Sequence, residues 1–370
     1  MITIKKSSFQ PMVLFIGTFI IQFFFCLPVL LAEKQIVNPY YSVETVSQSD
    51  GSLFDKTIIN GPPAPPDGSS RPAVALPLDL PSAANAVPDV PYYTWCFGCS
   101  ATSAAMIAAY YDRNGYRNMY TGPANGGVMP LNNDDYWSTW VDGAGDTRHR
   151  CPLSATQLGL DGRSTRGHVD DFWVSYDSAV ADPFITNGWA QHPLGGCTAD
   201  YMGTNQSSSP MNNRDGATTF WYNSNGAKTT AEAIFAAGAA YYNSSGMYGI
   251  KEFYESRGYA VVEAFNQYIL GYDGNTLGFT YAQYKAEIDA GRPVMIHVEG
   301  HTMVGFGYND MSNWIYLFDT WDHEGHFMEW GGTYGTNPPM AHVGVTIVKL
   351  GPAPAPPVIT APSTLLLYNE

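Results

Sequence analysis

A chain of 370 residues is long enough to bury one large core or two modest ones, so size alone excludes neither a complete enzyme domain nor two smaller ones. Charged residues make up only 14 %, aromatics also reach 14 %, and Gly and Pro number 37 and 26, a balance that excludes a disordered chain and points to a loop-rich globular one. The formal charge of −15 opposes binding to phosphate backbones and anionic membrane surfaces, which excludes nucleic acid as an expected partner.

Residues 1–32 read as an export signal: Lys5 and Lys6 precede an apolar run, 12–32, that contains no charge. The expected location is therefore secreted or extracytoplasmic. The run is also close to the roughly 20 residues that span a bilayer, and Leu30-Leu31-Ala32 is a poor cleavage site, so the alternative is an uncleaved membrane anchor formed by 12–32. Residues 33–88 contain few large aliphatics in periodic order and include Gly-Pro-Pro-Ala-Pro-Pro-Asp-Gly-Ser-Ser (61–70), and read as a Pro/Ser-rich linker. The domain is expected over 89–350, followed by a Pro-rich tail, 351–370.

Within that domain, composition and helical spacing predict helices over 100–111, 230–242, 251–257 and 281–290, the last stopped by Gly291 and Pro293. Short β-rich runs follow at 294–298, 302–308, 314–319 and 343–349, separated by turn signals. Helices first and an antiparallel sheet last make an α+β fold. The stretch 122–226 is rich in Gly, Asn, Asp and Ser and is expected to be irregular but ordered, pinned by a disulfide or by aromatic packing.

Cys99 opens the first helix, where the helix N-terminal partial charge and free N–H groups favour a thiolate. His301 follows Glu299-Gly300 at the edge of a strand, the position of a general base, and Asp319 ends the next strand, where its carboxylate could orient the imidazole. Outside the leader, with its Cys26, the cysteines are Cys96, Cys99, Cys151 and Cys197. If Cys99 is a free nucleophile, a Cys151–Cys197 disulfide is the economical pairing; if all four are structural, an enzyme is excluded. Cys96 and Cys99 have redox spacing, but no thioredoxin-like context surrounds them. His297, Glu299 and His301 alternate along one strand, with His323 and His326 close after Asp319, which leaves a divalent-metal site as a lesser alternative. Gly-His-Val-Asp-Asp-Phe-Trp (167–173) and His192 are further polar residues that could line a cleft or bind calcium.

The segment Tyr-Thr-Trp-Cys-Phe-Gly-Cys-Ser-Ala-Thr-Ser-Ala-Ala-Met (93–106) resembles the nucleophile motif of the bacteriocin-processing-peptidase-like branch of papain-like cysteine peptidases, the peptidase C39-like domain. The block 287–308 looks like that family's helix, strand and His block, and Leu-Phe-Asp-Thr-Trp (317–321) like its acidic strand. The resemblance implies a papain-like cysteine proteinase fold, with the Cys-bearing central helix packed on an antiparallel sheet. It maps Cys99 to nucleophile, His301 to base and Asp319 to the orienting residue. It implies a peptide or protein substrate, no cofactor and no metal. Two departures stand out: Ala101 replaces a frequent Pro, and no Gln precedes Cys99 to complete the oxyanion hole, so Tyr93 or Trp95 would have to supply that donor. A non-catalytic exported binding module of the same fold is the alternative.

Overall fold

The run Val-Met-Ile-His-Val turns back on itself at Gly300, whose φ of +103° suits a residue without a side chain. The resulting hairpin pairs Val294 with Gly305 and Val298 with His301, and it forms the middle of the largest sheet among the described residues. The computed structural model describes residues 34–353 apart from 49, 77–81, 123, 143–144, 156–173, 181–185, 188–195 and 206–212. The expected leader or anchor (1–32), most of the C-terminal tail, the 167–173 cluster and His192 lie outside the described residues.

In chain order the elements are β1 (Gln35–Asn38), β2 (Tyr41–Ser47), β3 (Leu53–Ile59), β4 (Ala73–Val74), β5 (Ala84–Ala86), α1 (Cys99–Arg113), β6 (Thr139–Val141) and β7 (Thr147–His149). Then come α2 (Thr198–Met202), β8 (Thr218–Asn223), β9 (Thr229–Thr230), α3 (Ala231–Ala237), α4 (Ala239–Tyr242), α5 (Gly246–Ser256), β10 (Val261–Tyr268) and α6 (Tyr281–Asp289). The chain finishes with β11 (Val294–Val298), β12 (His301–Asn309), β13 (Trp314–Phe318), β14 (Gly325–Glu329), β15 (Thr333–Tyr334) and β16 (Met340–Leu350). The main sheet runs β4-β14-β13-β12-β11-β16-β10-β9, with β5 added to β12 and β15 to β16, all antiparallel. Mixed helix and antiparallel sheet make the fold α+β.

Helix α1 is buried from Cys99 to Asp112, and its Ala101, Ala104, Ala105, Ala108 and Ala109 bring its backbone close to its neighbours. Two hydroxyls stitch it to β12: Ser100 Oγ lies 2.8 Å from Thr302 Oγ1, and Ser103 Oγ donates to Thr302 O at 3.1 Å. The expected helix 281–290 is α6, started by a reciprocal capping box between Thr280 and Gln283. The expected helix 230–242 is broken at Gly238 into α3 and α4.

Two expectations are corrected. Residues 33–88 are not a free linker: β1, β2 and β3 form an antiparallel sheet with β8, and Tyr41 and Ile59 enter the main core. The alternation of buried and half-buried residues in β3 suits a strand with one face on the core, and Asp50-Gly51 supplies the hairpin turn. The structure forms no Cys151–Cys197 disulfide, and all four described cysteines are buried. Cys96 Sγ instead accepts from Cys151 N at 3.0 Å, while Thr198 N and Ala199 N bond Leu153 O and Ser154 O, fixing the Cys197 segment by its backbone. Around Trp140 aromatic packing contributes: Trp140 stacks on Phe97 with centroids 4.5 Å apart and lies 6.1 Å from Trp95. Among the described residues no helix is long and apolar enough to cross a membrane.

Two predictions follow from this packing. An Ile59→Ala substitution should cost about 2–5 kcal/mol in urea unfolding, because Ile59 is fully buried; a linker residue would leave the midpoint unchanged. His297 and His342 are buried as neutral rings, and burial lowers both pKa values from 6.5 to about 3. Between those values the unfolded chain binds more protons than the folded one, so unfolding free energy should fall as pH drops from about 6.5 toward 4. Denaturant titrations that find equal stability at both ends of that window would contradict the assignment.

Candidate active site

Cys99 reaches its place through an unusual approach to α1. Phe97 and Gly98 have φ of +59° and +135°, so the chain turns sharply before the helix starts. Thr102 Oγ1 secures the turn by donating to Gly98 O at 2.8 Å and accepting from Cys96 N at 2.9 Å. The Cys99 side chain then faces the start of β12, where His301 stands directly after the Gly300 turn.

The His301 ring is fixed on both sides. Its Nε2 lies 2.5 Å from the main-chain carbonyl oxygen of Asp319, and Thr320 Oγ1 is 3.4 Å away. A carbonyl can only accept, so Nε2 carries the hydrogen and, in the neutral ring, Nδ1 is the bare base. Nδ1 is directed to the space it shares with Cys99 Sγ: a methyl built on Gly61 would meet Nδ1 at 2.3 Å and Sγ at 2.7 Å. Both residues are 0 % exposed. Burial by itself raises the Cys99 pKa, but the charge and hydrogen bond of His301, with the Thr302 and Gly61 N–H groups, outweigh it and hold the thiol below its ordinary value.

The expectation that the Asp319 carboxylate orients His301 is corrected: the main-chain carbonyl does so. The carboxylate is taken elsewhere, with Oδ1 accepting from Trp321 N at 3.0 Å and Oδ2 accepting from Tyr334 Oη at 2.6 Å and from Arg71. Arg71 also pairs with Asp322 at 2.8 Å and was missed in the sequence because it lies in the supposed linker. It arrives because β4 pairs with β14, Val74 opposite Gly325. His326 completes a balanced group of charges. Its Nδ1 donates to Pro72 O at 3.1 Å, and its Nε2 lies 3.0 Å from Asp322 Oδ1 and 3.2 Å from Arg71 Nη1. Burial lowers its pKa, but the bond to Asp322 and the charge of Asp319 prevail and hold the ring protonated above its usual range.

Trp321 was also missed. Its indole lies flat on the His301 ring, with centroids 3.9 Å apart, and shelters the bond to Asp319 O from water. Between them Thr320 has φ +68°, a left-handed conformation that costs of order 1–3 kcal/mol for a β-branched residue and aims the Asp319 carbonyl and the Trp321 ring at the same imidazole.

The remaining expected donors and ligands divide. Tyr93 donates its only hydroxyl hydrogen to Pro130 O at 2.8 Å and has none for an oxyanion. Trp95 Nε1 donates at 3.0 Å to Gly61 O, a peptide carbonyl of the residue that covers Cys99 Sγ. The metal alternative around His297 and His301 is corrected. His297 is held by Thr302 and Thr346, Glu299 by Tyr272 and His323 by Asp134, so these side chains do not converge. The described His, Asp and Glu residues that do converge, Asp319, Asp322 and His326, already surround the guanidinium of Arg71, which fills the place of a cation.

No curated protein and no solved structure matches the chain. The model of the Peptidase_C39 like family matches residues 196–331, a stretch that contains His301 and Asp319 and begins well after Cys99, which it leaves outside. That match supports a peptidase C39-like domain of the papain-like kind over this part of the chain.

Proposed function

We propose that the protein is an exported cysteine hydrolase acting on peptide bonds, with Cys99 as nucleophile and His301 as its acid and base in a papain-like arrangement of a central Cys helix against the antiparallel sheet. The observation that carries this reading is the His301 ring, tied at Nε2 to a carbonyl and directed at Nδ1 toward the Cys99 sulfur. In such a site the Cys99 thiolate attacks the acyl carbon and His301 Nδ1–H protonates the departing amine. The neutral ring then takes a proton from water, and the resulting hydroxide equivalent releases the acyl group from sulfur. Nε2 keeps its proton throughout.

Trp95 Nε1 is the donor best placed to serve the oxyanion, because it already binds a peptide carbonyl beside the sulfur. Asp319 acts through its main chain, and its carboxylate with Arg71, Tyr334 and Asp322 braces the loop that presents that carbonyl. Residues 12–32 support export or membrane anchorage. A non-catalytic binding module is favoured by one observation, the complete burial of Cys99 and His301.

Two experiments separate these readings. Thiolate absorbance compared between the parent and Cys99→Ser should locate Cys99 ionisation below that of an ordinary thiol, and His301→Ala should move it upward; a thiol that titrates normally in both sinks the enzyme. Any peptide hydrolysis should fall about 10³-fold or more in Cys99→Ala. Asp319→Asn preserves the main-chain carbonyl, so it should lower stability yet leave far more activity than the roughly 10⁴-fold loss known for triads whose carboxylate touches the histidine. A loss of that full size would contradict the carbonyl's role.

A further inference from the structure

Residues 60–66 cross directly over the pair just described. Gly61, Pro62 and Pro63 are buried, while Asp67 and Gly68 stand exposed beyond them. Nothing in this stretch anchors by a large side chain. Besides Asn60 N–H on Tyr40 O, three successive carbonyls are each gripped by a different ring of the site: Tyr176 Oη donates to Asn60 O at 3.4 Å, Trp95 Nε1 to Gly61 O at 3.0 Å and Trp321 Nε1 to Pro62 O at 2.8 Å. Successive main-chain carbonyls held by fixed donors in a cleft are how a protein grips an extended peptide of another chain.

Gly61 has no left-handed backbone to explain its identity. Space explains it, since any Cβ there would lie 2.3 Å from His301 Nδ1 and 2.7 Å from Cys99 Sγ. From these contacts we infer that residues 60–66 are a built-in occupant of the substrate cleft, which keeps the Cys99–His301 pair closed to external acyl substrates until the segment is displaced. This rests on the hydrolase reading and deepens it.

The composition suits a durable occupant. Gly-Pro-Pro-Ala-Pro-Pro has little backbone freedom to lose on docking, and the bonds after Gly61 and Pro62 run to proline ring nitrogens that crowd the carbonyl before them. On its outer side the same prolines line a cleft of about 520 Å³ with Tyr40, Tyr176 and Asp177, so an incoming peptide has an approach beside the segment. A turn, 67–70, with Asp67, Gly68 and Ser70 exposed, lies between this occupant and Arg71. A cut in that turn would free residues 60–66 and leave the Arg71–Asp319 brace in place.

The test is iodoacetamide labelling of Cys99 in the full chain, read by mass spectrometry of its peptide, with near-ultraviolet circular dichroism to establish folding. At about pH 9, where any accessible thiol reacts, the rate reports access alone. Gly61→Ala forces the segment off by collision, and the double variant P62G/P63G loosens it without one. Each folded variant should label about tenfold faster than the parent or more, because a closed thiol reacts only through its open fraction. A parent that labels as fast as the unfolded chain, or folded variants no faster than the parent, overturns the closure. Labelling at about pH 6 separates the two claims. If the opened variants react there no faster than the same variants carrying His301→Ala, the closure stands and the hydrolase reading falls.

Discussion

The bond from His301 Nε2 to the carbonyl oxygen of Asp319 constrains the whole site. Because that oxygen cannot donate, it assigns the ring hydrogen to one nitrogen and leaves the other facing Cys99 as a base. A carboxylate in the same place would add charge to the bond, but the Asp319 carboxylate, itself 0 % exposed, is compensated elsewhere. Here the negative charge of Asp319 is spent on Arg71 and Tyr334, and only the main-chain dipole meets the imidazole. The Arg71–Asp322–His326 group is then best understood as support for a loop whose backbone, through Thr320, is not in a relaxed conformation.

That support comes from the N-terminal segment, and so does the cover. One stretch of chain leaves β3 at Ile59, crosses the sulfur at Gly61, and reaches the edge of the main sheet at Ala73 after delivering Arg71. Burial under this segment has two electrostatic consequences. It penalises the Cys99 thiolate, and it strengthens the attraction of His301 and the two N–H groups that favour it, with the second effect prevailing.

Much of this was legible from residue order. The helix opened by Cys99, the capping box before α6 and the β11–β12 hairpin carrying His301 were readable because period, caps and turn residues agreed at each. The N-terminal sheet was hidden because the Pro-rich run 61–70 lent its character to the strands before it, although Asp50-Gly51 between two β-rich runs was a readable hairpin signal. β10 and β8 give a weaker signal: each is a mixed polar and apolar run of eight residues or fewer beside helical stretches, where periodicity alone does not separate strand from helix. The site's backbone groups were beyond reach in principle. A sequence names the Asp319 side chain but not which of its oxygens faces His301, and it gives no sign that a glycine 38 residues before Cys99 closes over the sulfur.

The His301–Asp319 bond is most directly tested by ¹⁵N NMR of the histidines in the parent and in Cys99→Ser. The bond to the Asp319 carbonyl requires that the hydrogen of the neutral His301 ring sit on Nε2, with Nδ1 bare. A neutral His301 with the hydrogen on Nδ1 would contradict it, because that ring could neither donate to the Asp319 carbonyl nor accept the proton of Cys99.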